Sequence, residues 1–303
     1  MEKLRIATRE SKLALWQANF VRDRLIEAHP ALTVELVGMT TKGDRWLDAP
    51  LSEIGGKGLF IKELEAAMLA GQADIAVHSV KDLPAQVPEG FALPVLAYRA
   101  AVDDVLISEH GDLHDLPSGA VVGSSSLRRQ AQLLAARSDL QMRSIRGNVG
   151  TRLDKLTRGE YDAIVLAKAG LDRLQIDVAG QTILSHDMCL PAPGQGALGI
   201  ECVQNSPALQ LLEALKDTDV FRCVSAERGV SLGLGADCSL PVAAHATLAG
   251  EQVQLTALLA SADGSRILKT QQAGMDPQAV AATAVEDLYR QGAQDILSEL
   301  RSP

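Results

Sequence analysis

From residue 4 to residue 166 the hydrophobic pattern switches repeatedly between short apolar runs and stripes at helical spacing, and this alternation limits the chain to few folds. Leu4-Arg5-Ile6-Ala7 reads as a buried strand, and the following segment, 11–29, puts Leu13, Trp16, Phe20, Val21 and Leu25 on one helical stripe. Leu32, Val34 and Leu36 alternate as a second strand, completing a βαβ start. A helix over 60–70 packs Phe60, Ile61, Leu64 and Met68, and Ile75-Ala76-Val77 is the next strand. The logic then repeats: strand Val121-Val122, helix 127–136, strand 142–145, helix 149–156, strand 163–166. Such alternation predicts mostly parallel sheets covered on both faces. After about residue 245 the pattern changes. Leu248, then Val253, Leu255 and Ala257, then Ile267-Leu268 beyond Asp263-Gly264 predict an antiparallel sheet, closed by a helix over 277–300. The expected fold class is two α/β domains and a smaller C-terminal α+β domain.

Several function classes fall away. No apolar run reaches the roughly 18–20 residues of a membrane-spanning helix, and the start Met1-Glu2-Lys3-Leu4-Arg5-Ile6 has no signal-peptide core, so a cytoplasmic protein is expected. Cys189, Cys202, Cys223 and Cys238 show no ligand spacing, and the six histidines are dispersed, so no metal site is expected and the thiols should be reduced.

Charge is distributed unevenly. Between residues 128 and 158 stand seven arginines and one lysine against two acids, in a chain of formal net charge -9. Nucleic acid is a poor fit, because its binders are usually basic over a whole face and carry stacking aromatics, whereas aromatics are 3% here. A small anion with several carboxylates or phosphates fits better. Three strand-to-helix turns share one design: Ala7-Thr8-Arg9-Glu10-Ser11, Gly123-Ser124-Ser125-Ser126-Leu127-Arg128-Arg129 and Arg146-Gly147-Asn148-Val149-Gly150-Thr151-Arg152. Each sets small or hydroxyl residues at a helix N-terminus, where free N–H groups favour an anion, and adds arginine, whose fork matches a carboxylate. In open α/β sheets such turns line the ligand crevice. Ordinary caps and solvated arginines are the bland reading of any one of them.

Three further segments stand out. Ile75-Ala76-Val77 runs into His78-Ser79-Val80-Lys81-Asp82-Leu83-Pro84, and Pro84 suggests an extended strand end carrying Lys81 and Asp82. A carboxylate there can stabilise a developing cation or move a proton; a surface ion pair is the alternative, and His78 reads as a packing or capping residue. Gly55-Gly56-Lys57-Gly58 precedes Leu59-Phe60 without the ending of a phosphate-binding loop, so it reads as a lid carrying Lys57 or as a linker. Cys238 lies in a small-residue loop, where a thiol can serve as nucleophile or attachment point or be inert.

In this order the segments resemble the porphobilinogen deaminase (hydroxymethylbilane synthase) family, from Arg5 to about Leu297. The resemblance is carried by Ile6-Ala7-Thr8-Arg9, Gly55 to Phe60, His78 to Pro84, Ser125-Ser126-Leu127-Arg128-Arg129, Arg146-Gly147-Asn148 and Pro193-Gly194-Gln195-Gly196-Ala197. It implies a transferase that links four porphobilinogen units head to tail with loss of ammonia and then releases hydroxymethylbilane by hydrolysis, in tetrapyrrole and heme biosynthesis. It implies a dipyrromethane cofactor joined by a thioether to Cys238. Asp82 matches the essential aspartate. Arg9, Lys81, Arg128, Arg129, Arg146, Arg152 and Arg173 match the residues that hold acetate and propionate groups. Ser79, Ser124, Ser125, Ser126 and Gln195 match cofactor- or substrate-contacting positions, and Ser11, Lys57 and Phe60 are assigned to substrate. It further implies a monomer acting on a small molecule, without nucleic acid or membrane, and three domains, the first two like periplasmic binding proteins. The expected boundaries are 1–98 with 196–215, then 102–192, then 218–303.

The chain departs from the family at two places. Ala236-Asp237 stand where Gly-Gly usually precedes the attachment cysteine, and Arg99-Ala100-Ala101-Val102-Asp103-Asp104 lacks the proline and one arginine of an interdomain hinge. Asp237 beside the thiol should disfavour the thiolate. A carboxylate-binding protein without catalysis, and a relative that folds but does not load its cofactor, are the competing readings.

Overall fold

The structure, a computed structural model, describes residues 1–40, 61–236 and 240–301. The chain divides into two compact units, Met1–Ala100 with Gly196–Phe221 and Ala101–Gln195 with Arg222–Pro303.

The first unit is a five-stranded sheet in the order β2-β1-β3-β10-β4. Its strands are β1 (Lys3–Arg9), β2 (Thr33–Met39), β3 (Ile75–Ser79), β4 (Phe91–Ala97) and β10 (Leu198–Val203). β1 pairs parallel with β2 and β3, and β10 runs antiparallel to both β3 and β4, so four strands share one direction. Both faces are covered, as the sequence pattern predicts. Leu4, Ile6, Ile75, Val77 and Ile200 pack with Val21 and Leu25 of α1 (Lys12–Ala28), and Ala7 and Ala76 pack with Leu64 and Met68 of α2 (Lys62–Leu69) on the other side.

The second unit repeats the design in the order β7-β6-β8-β5-β9. Its strands are β5 (Asp104–Ser108), β6 (Val121–Gly123), β7 (Gln141–Arg143), β8 (Ala163–Ala167) and β9 (Gln181–Ile183). Here β5 is the counter-running strand, antiparallel to β8 and β9, while β6 is parallel to β7 and β8. The counter strand of each sheet is the first element after the chain crosses from the other unit. Helix α3 (Leu127–Ala136) covers one face through Leu133, and α4 (Val149–Thr157) with α5 (Lys168–Arg173) covers the other through Leu153 and Leu171.

The same unit holds the antiparallel sheet β11 (Val242–Ala249), β12 (Gln252–Ala260), β13 (Ile267–Gly274). Period-two alternation divides β12: Leu255, Ala257 and Leu259 face α7 (Thr218–Gly233), α8 (Pro277–Arg290) and α9 (Ala293–Arg301), whereas Leu258 and Ala260 meet Ala131 of α3 and Leu190. α6 is the short helix Ala208–Leu212. Gly264, in the β12–β13 turn at φ +71°, seats that turn on α3, where a Cβ would stand 2.2 Å from the carbonyl oxygen of Ala131. The single C-terminal helix expected over 277–300 is two helices. Gly292 has φ +106°, a left-handed conformation that ends α8 and lets α9 start in a new direction. Overall the chain is α/β, with two five-stranded mixed sheets and one small antiparallel sheet.

Candidate functional site

In the first unit, the parallel pairing of Ile6 with Ile75 and Ala7 with Ala76 brings the C-terminal ends of β1 and β3 to the same edge. Arg9 is the last residue of β1. Ser11, extended at φ -66° and ψ 146°, caps α1, its Oγ accepting from the Ala14 N–H at 3.3 Å. At the end of β3, Ser79 Oγ accepts from the buried Gln17 Nε2 at 2.8 Å, which fixes Ser79 against α1. The chain then makes a single 3-10 turn, Val80–Asp82. The Val80 N–H donates to Ala197 O at 3.1 Å, and the Leu83 N–H closes the turn on Val80 O at 3.0 Å.

This corrects the extended strand end expected for Lys81 and Asp82. Pro84 restricts its immediate predecessor, and Leu83 is indeed extended at φ -80° and ψ 143°. Two residues earlier that restraint no longer acts, and the turn exposes Asp82 beside a half-buried Lys81. His78 packs as the sequence suggests. It is buried, with Nε2 3.0 Å from Glu201 Oε2 on β10. The same pocket acts on Glu65 of α2, whose carboxyl is pushed above its ordinary value by burial and then by the Glu201 charge.

In the second unit, β6 and β7 are parallel neighbours with Gly123 opposite Arg143, so the turns 124–126 and 144–148 emerge together. Ser125 Oγ donates to Ile145 O at 2.7 Å, accepts from the Ile145 N–H at 3.1 Å and lies 2.8 Å from Ser144 Oγ. Ser124 is buried, and its Oγ accepts from the Ser126 N–H at 3.2 Å. Ser126 occupies the N-cap of α3 without a side-chain cap bond. Asn148 caps α4 by accepting from the Thr151 N–H at 2.9 Å, and Arg152 Nε donates to Gly147 O at 2.8 Å. Gly147 has φ +113°, and a Cβ there would meet Thr151 at 2.7 Å, so the Arg146-Gly147-Asn148 turn requires glycine. Arg173 ends α5 and is buried, and burial lowers its pKa to about 10, still protonated near neutrality.

Arg128 and Arg129 are not the solvated arginines of the bland reading. Both are buried, and both meet a carboxylate of their own chain. Asp104, fully buried at the start of β5, accepts from Arg128 Nη2 and Arg129 Nη2 at 2.7 Å each. Their Nη1 groups donate to Leu190 O at 2.7 Å and Val165 O at 3.0 Å. Gln195, also fully buried, donates to Asp104 Oδ1 at 2.9 Å and Val102 O at 2.6 Å. For Arg128, burial opposes the charge, but Asp104 outweighs it and holds the guanidinium above its ordinary pKa. The Nε atoms of Arg128 and Arg129 are buried and lack a hydrogen-bond partner among the described residues.

Much of the remaining basic segment is also engaged internally. Arg137 pairs with Asp139 at 2.7 Å, Arg158 with Glu160 at 3.3 Å, and Arg143 lies over the Tyr161 ring. Arg146 and Arg152 bracket the 146–152 turn, which follows β7, the parallel neighbour of the β6 strand that leads into the serines. The donor set of two unpartnered guanidinium Nε groups, a serine-rich turn and further arginines suits a polycarboxylate cofactor.

Lys57, Phe60 and Cys238 lie outside the described residues. The other three cysteines are buried. Burial pushes the Cys189 thiol up to about 12 and the Cys202 thiol up to about 11. Since the thiolate is the reactive form, Cys189, Cys202 and Cys223 are expected to resist iodoacetamide in the native protein at pH 8 and to react in denaturant, as peptide mapping of the labelled cysteines would show. Rapid native labelling of Cys189 would contradict this arrangement.

Sequence reasoning missed Asp104, Glu201 and Glu227. Asp104 stands in the segment read as an altered hinge, and its partners lie 25 and 91 residues away on Arg129 and Gln195.

At the level of solved structures, the chain is similar to the VFT2 domain of BvgS from Bordetella pertussis, at 14% identity over 71% of this chain and 86% of that one, with TM-score 0.43. It is also similar to the probable amino-acid transporter extracellular-binding protein ytmK from Bacillus subtilis, at 11% identity over 71% and 90%, with TM-score 0.46. A third likeness is to the alkanesulfonate-binding protein SsuA from Xanthomonas axonopodis pv. citri, at 14% identity over 77% and 74%, with TM-score 0.38. Family models are decisive. Residues 4–210 match the porphobilinogen deaminase dipyrromethane cofactor binding domain, and residues 221–290 match the porphobilinogen deaminase C-terminal domain. With both models matched in order over most of its length, the chain belongs to the porphobilinogen deaminase family of tetrapyrrole biosynthesis.

Proposed function

We propose that the chain is a hydroxymethylbilane synthase, which deaminates porphobilinogen and condenses four units head to tail on a dipyrromethane primer held by a thioether at Cys238, then frees the product by hydrolysis. The observation that carries this reading is the exposed turn that sets Asp82 beside Lys81 at the end of β3, in a chain matched by both family models. When bound, the dipyrromethane supplies the pyrrole end at which units are added.

Each addition forms one carbon–carbon bond, breaks one carbon–nitrogen bond and releases ammonia. Loss of that amine leaves positive charge on the pyrrole. Asp82 is the carboxylate assigned to stabilise that charge and to accept the proton lost as each new bond forms. Lys81 and Arg9 are assigned to the acetate and propionate groups of the incoming unit, and Ser11 and Ser79 to its positioning. Each unit brings two carboxylates, so bound negative charge rises with every addition. Arg128, Arg129, Arg146, Arg152 and Arg173, with Ser124, Ser125, Ser126 and Gln195, are assigned to that growing charge. A covalent tether keeps the reacting end at high effective concentration without release of intermediates.

Intact mass is the test. The purified protein should be heavier than its sequence by two porphobilinogen units less their ammonia, and Cys238→Ser should have the unmodified mass. A wild type that stays unmodified after incubation with porphobilinogen or hydroxymethylbilane would overturn the reading and favour a carboxylate-binding role.

A further inference from the structure

Arg128 and Arg129 are adjacent in sequence, both buried, and carry like charges that would drive them apart in a medium that screens poorly. Asp104 spans them, one carboxylate oxygen to each Nη2 at 2.7 Å, while Gln195 Nε2 at 2.9 Å and Cys189 Sγ at 3.4 Å hold the same carboxylate from other sides. The three ions leave one positive charge uncompensated within the cluster, together with two buried Nε donors that lack a partner among the described residues. Buried donors of that kind are costly to leave unpaired, and these two are free to bond a group outside the protein.

We propose that Asp104 is a positioning residue of the anion site: its carboxylate clamps Arg128 and Arg129 together so that the pair, with its one spare positive charge, engages a carboxylate of the oligopyrrole. This rests on the hydroxymethylbilane synthase reading above. Asp104 itself touches no ligand and acts through the two arginines.

The clamp and simple charge counting predict opposite signs for the loss of Asp104. Asp104→Asn removes a negative charge, so counting alone predicts faster uptake of a polyanion. Loss of the clamp predicts slower uptake. The experiment follows loading of cofactor-free protein by preformed hydroxymethylbilane, read as intact mass against time, with circular dichroism to verify the fold. Asp104→Asn is expected to load at least about ten-fold more slowly, the loss of one charge-assisted hydrogen bond. In steady state the KM for porphobilinogen should rise more than kcat falls. Loading at or above the wild-type rate would overturn the inference.

Should the single variant fail to fold, Arg129→Met with Asp104→Asn restores one net positive charge without the clamp. It is expected to load no faster than Arg129→Met alone, and recovery to the wild-type rate would show that charge, not position, is what matters. A wild type that takes up no tetrapyrrole fails the functional reading itself, a result distinct from either variant outcome.

Discussion

Replacing Asp82 by alanine is expected to lower porphobilinogen turnover by roughly 10²–10⁴-fold, the range associated with losing a positioned acid–base or electrostatic group. The protein should otherwise be intact. Asp82 is exposed on a 3-10 turn whose own closure uses backbone groups, the Leu83 N–H on Val80 O and the Val80 N–H on Ala197 O. Its removal should therefore change stability by no more than about 0.5 kcal/mol, as for a surface substitution away from core and caps. Asp82→Glu tests geometry separately from charge, because it keeps the carboxylate and moves it by one methylene. Asp82→Asn keeps the shape and removes the charge. Steady-state assay with thermal melts distinguishes the outcomes. Near-normal turnover in Asp82→Ala and Asp82→Asn would remove this residue from the chemistry.

The same turn shows where sequence reasoning stopped. Periodicity placed the framework because the forces behind it are local. Helix α3 runs over Leu127–Ala136, as its stripe predicts, and β1, β3, β6 and β8 form where apolar runs require two-sided burial. Local rules also exposed their own limit at Pro84, whose steric restraint reaches one residue back and no farther, so Lys81 and Asp82 were free to take the 3-10 turn. The left-handed break at Gly292 lay inside a continuous apolar pattern that hid it.

Ion pairing was the least legible layer. An arginine-rich segment on an acidic chain reads as a surface for a foreign anion, yet Arg128 and Arg129 spend part of their valence on Asp104 and Arg137 spends its on Asp139. Nothing in the spacing of Asp104 announces this, because the contact exists only after β5 has been laid beside β8 in the second sheet. The serines were similarly ambiguous. Ser11 is a true cap, while Ser124 bonds within its own turn and Ser125 ties that turn to Ile145 of the neighbouring one. Chemistry-bearing residue types were therefore visible in sequence, and their partners were not.

Glu227 is the strongest instance of such a hidden partner, and Glu227→Leu is expected to lose roughly 2–6 kcal/mol of stability, one to three for each buried donor left unpaired. The carboxylate sits fully buried on α7 and accepts two backbone N–H groups, Gly194 at 2.7 Å on Oε2 and Ala246 at 2.7 Å on Oε1. Leucine fills most of the volume and satisfies neither donor. Glu227→Gln should fall between wild type and leucine, because its amide oxygen can serve one N–H while its NH₂ opposes the other. Urea melts followed by circular dichroism would measure both, against the 5–15 kcal/mol total typical of folded domains. A leucine variant within about 1 kcal/mol of wild type would mean that water or rearranged backbone satisfies those donors. The loss should also reach the anion site. Gly194 immediately precedes Gln195, whose side chain holds Asp104, and α7 ends at Gly233, five residues before Cys238. Variants stable enough to purify should therefore load tetrapyrrole more slowly than wild type. The buried Glu227 carboxylate then supports, through Gly194, the segment whose next residue, Gln195, holds Asp104.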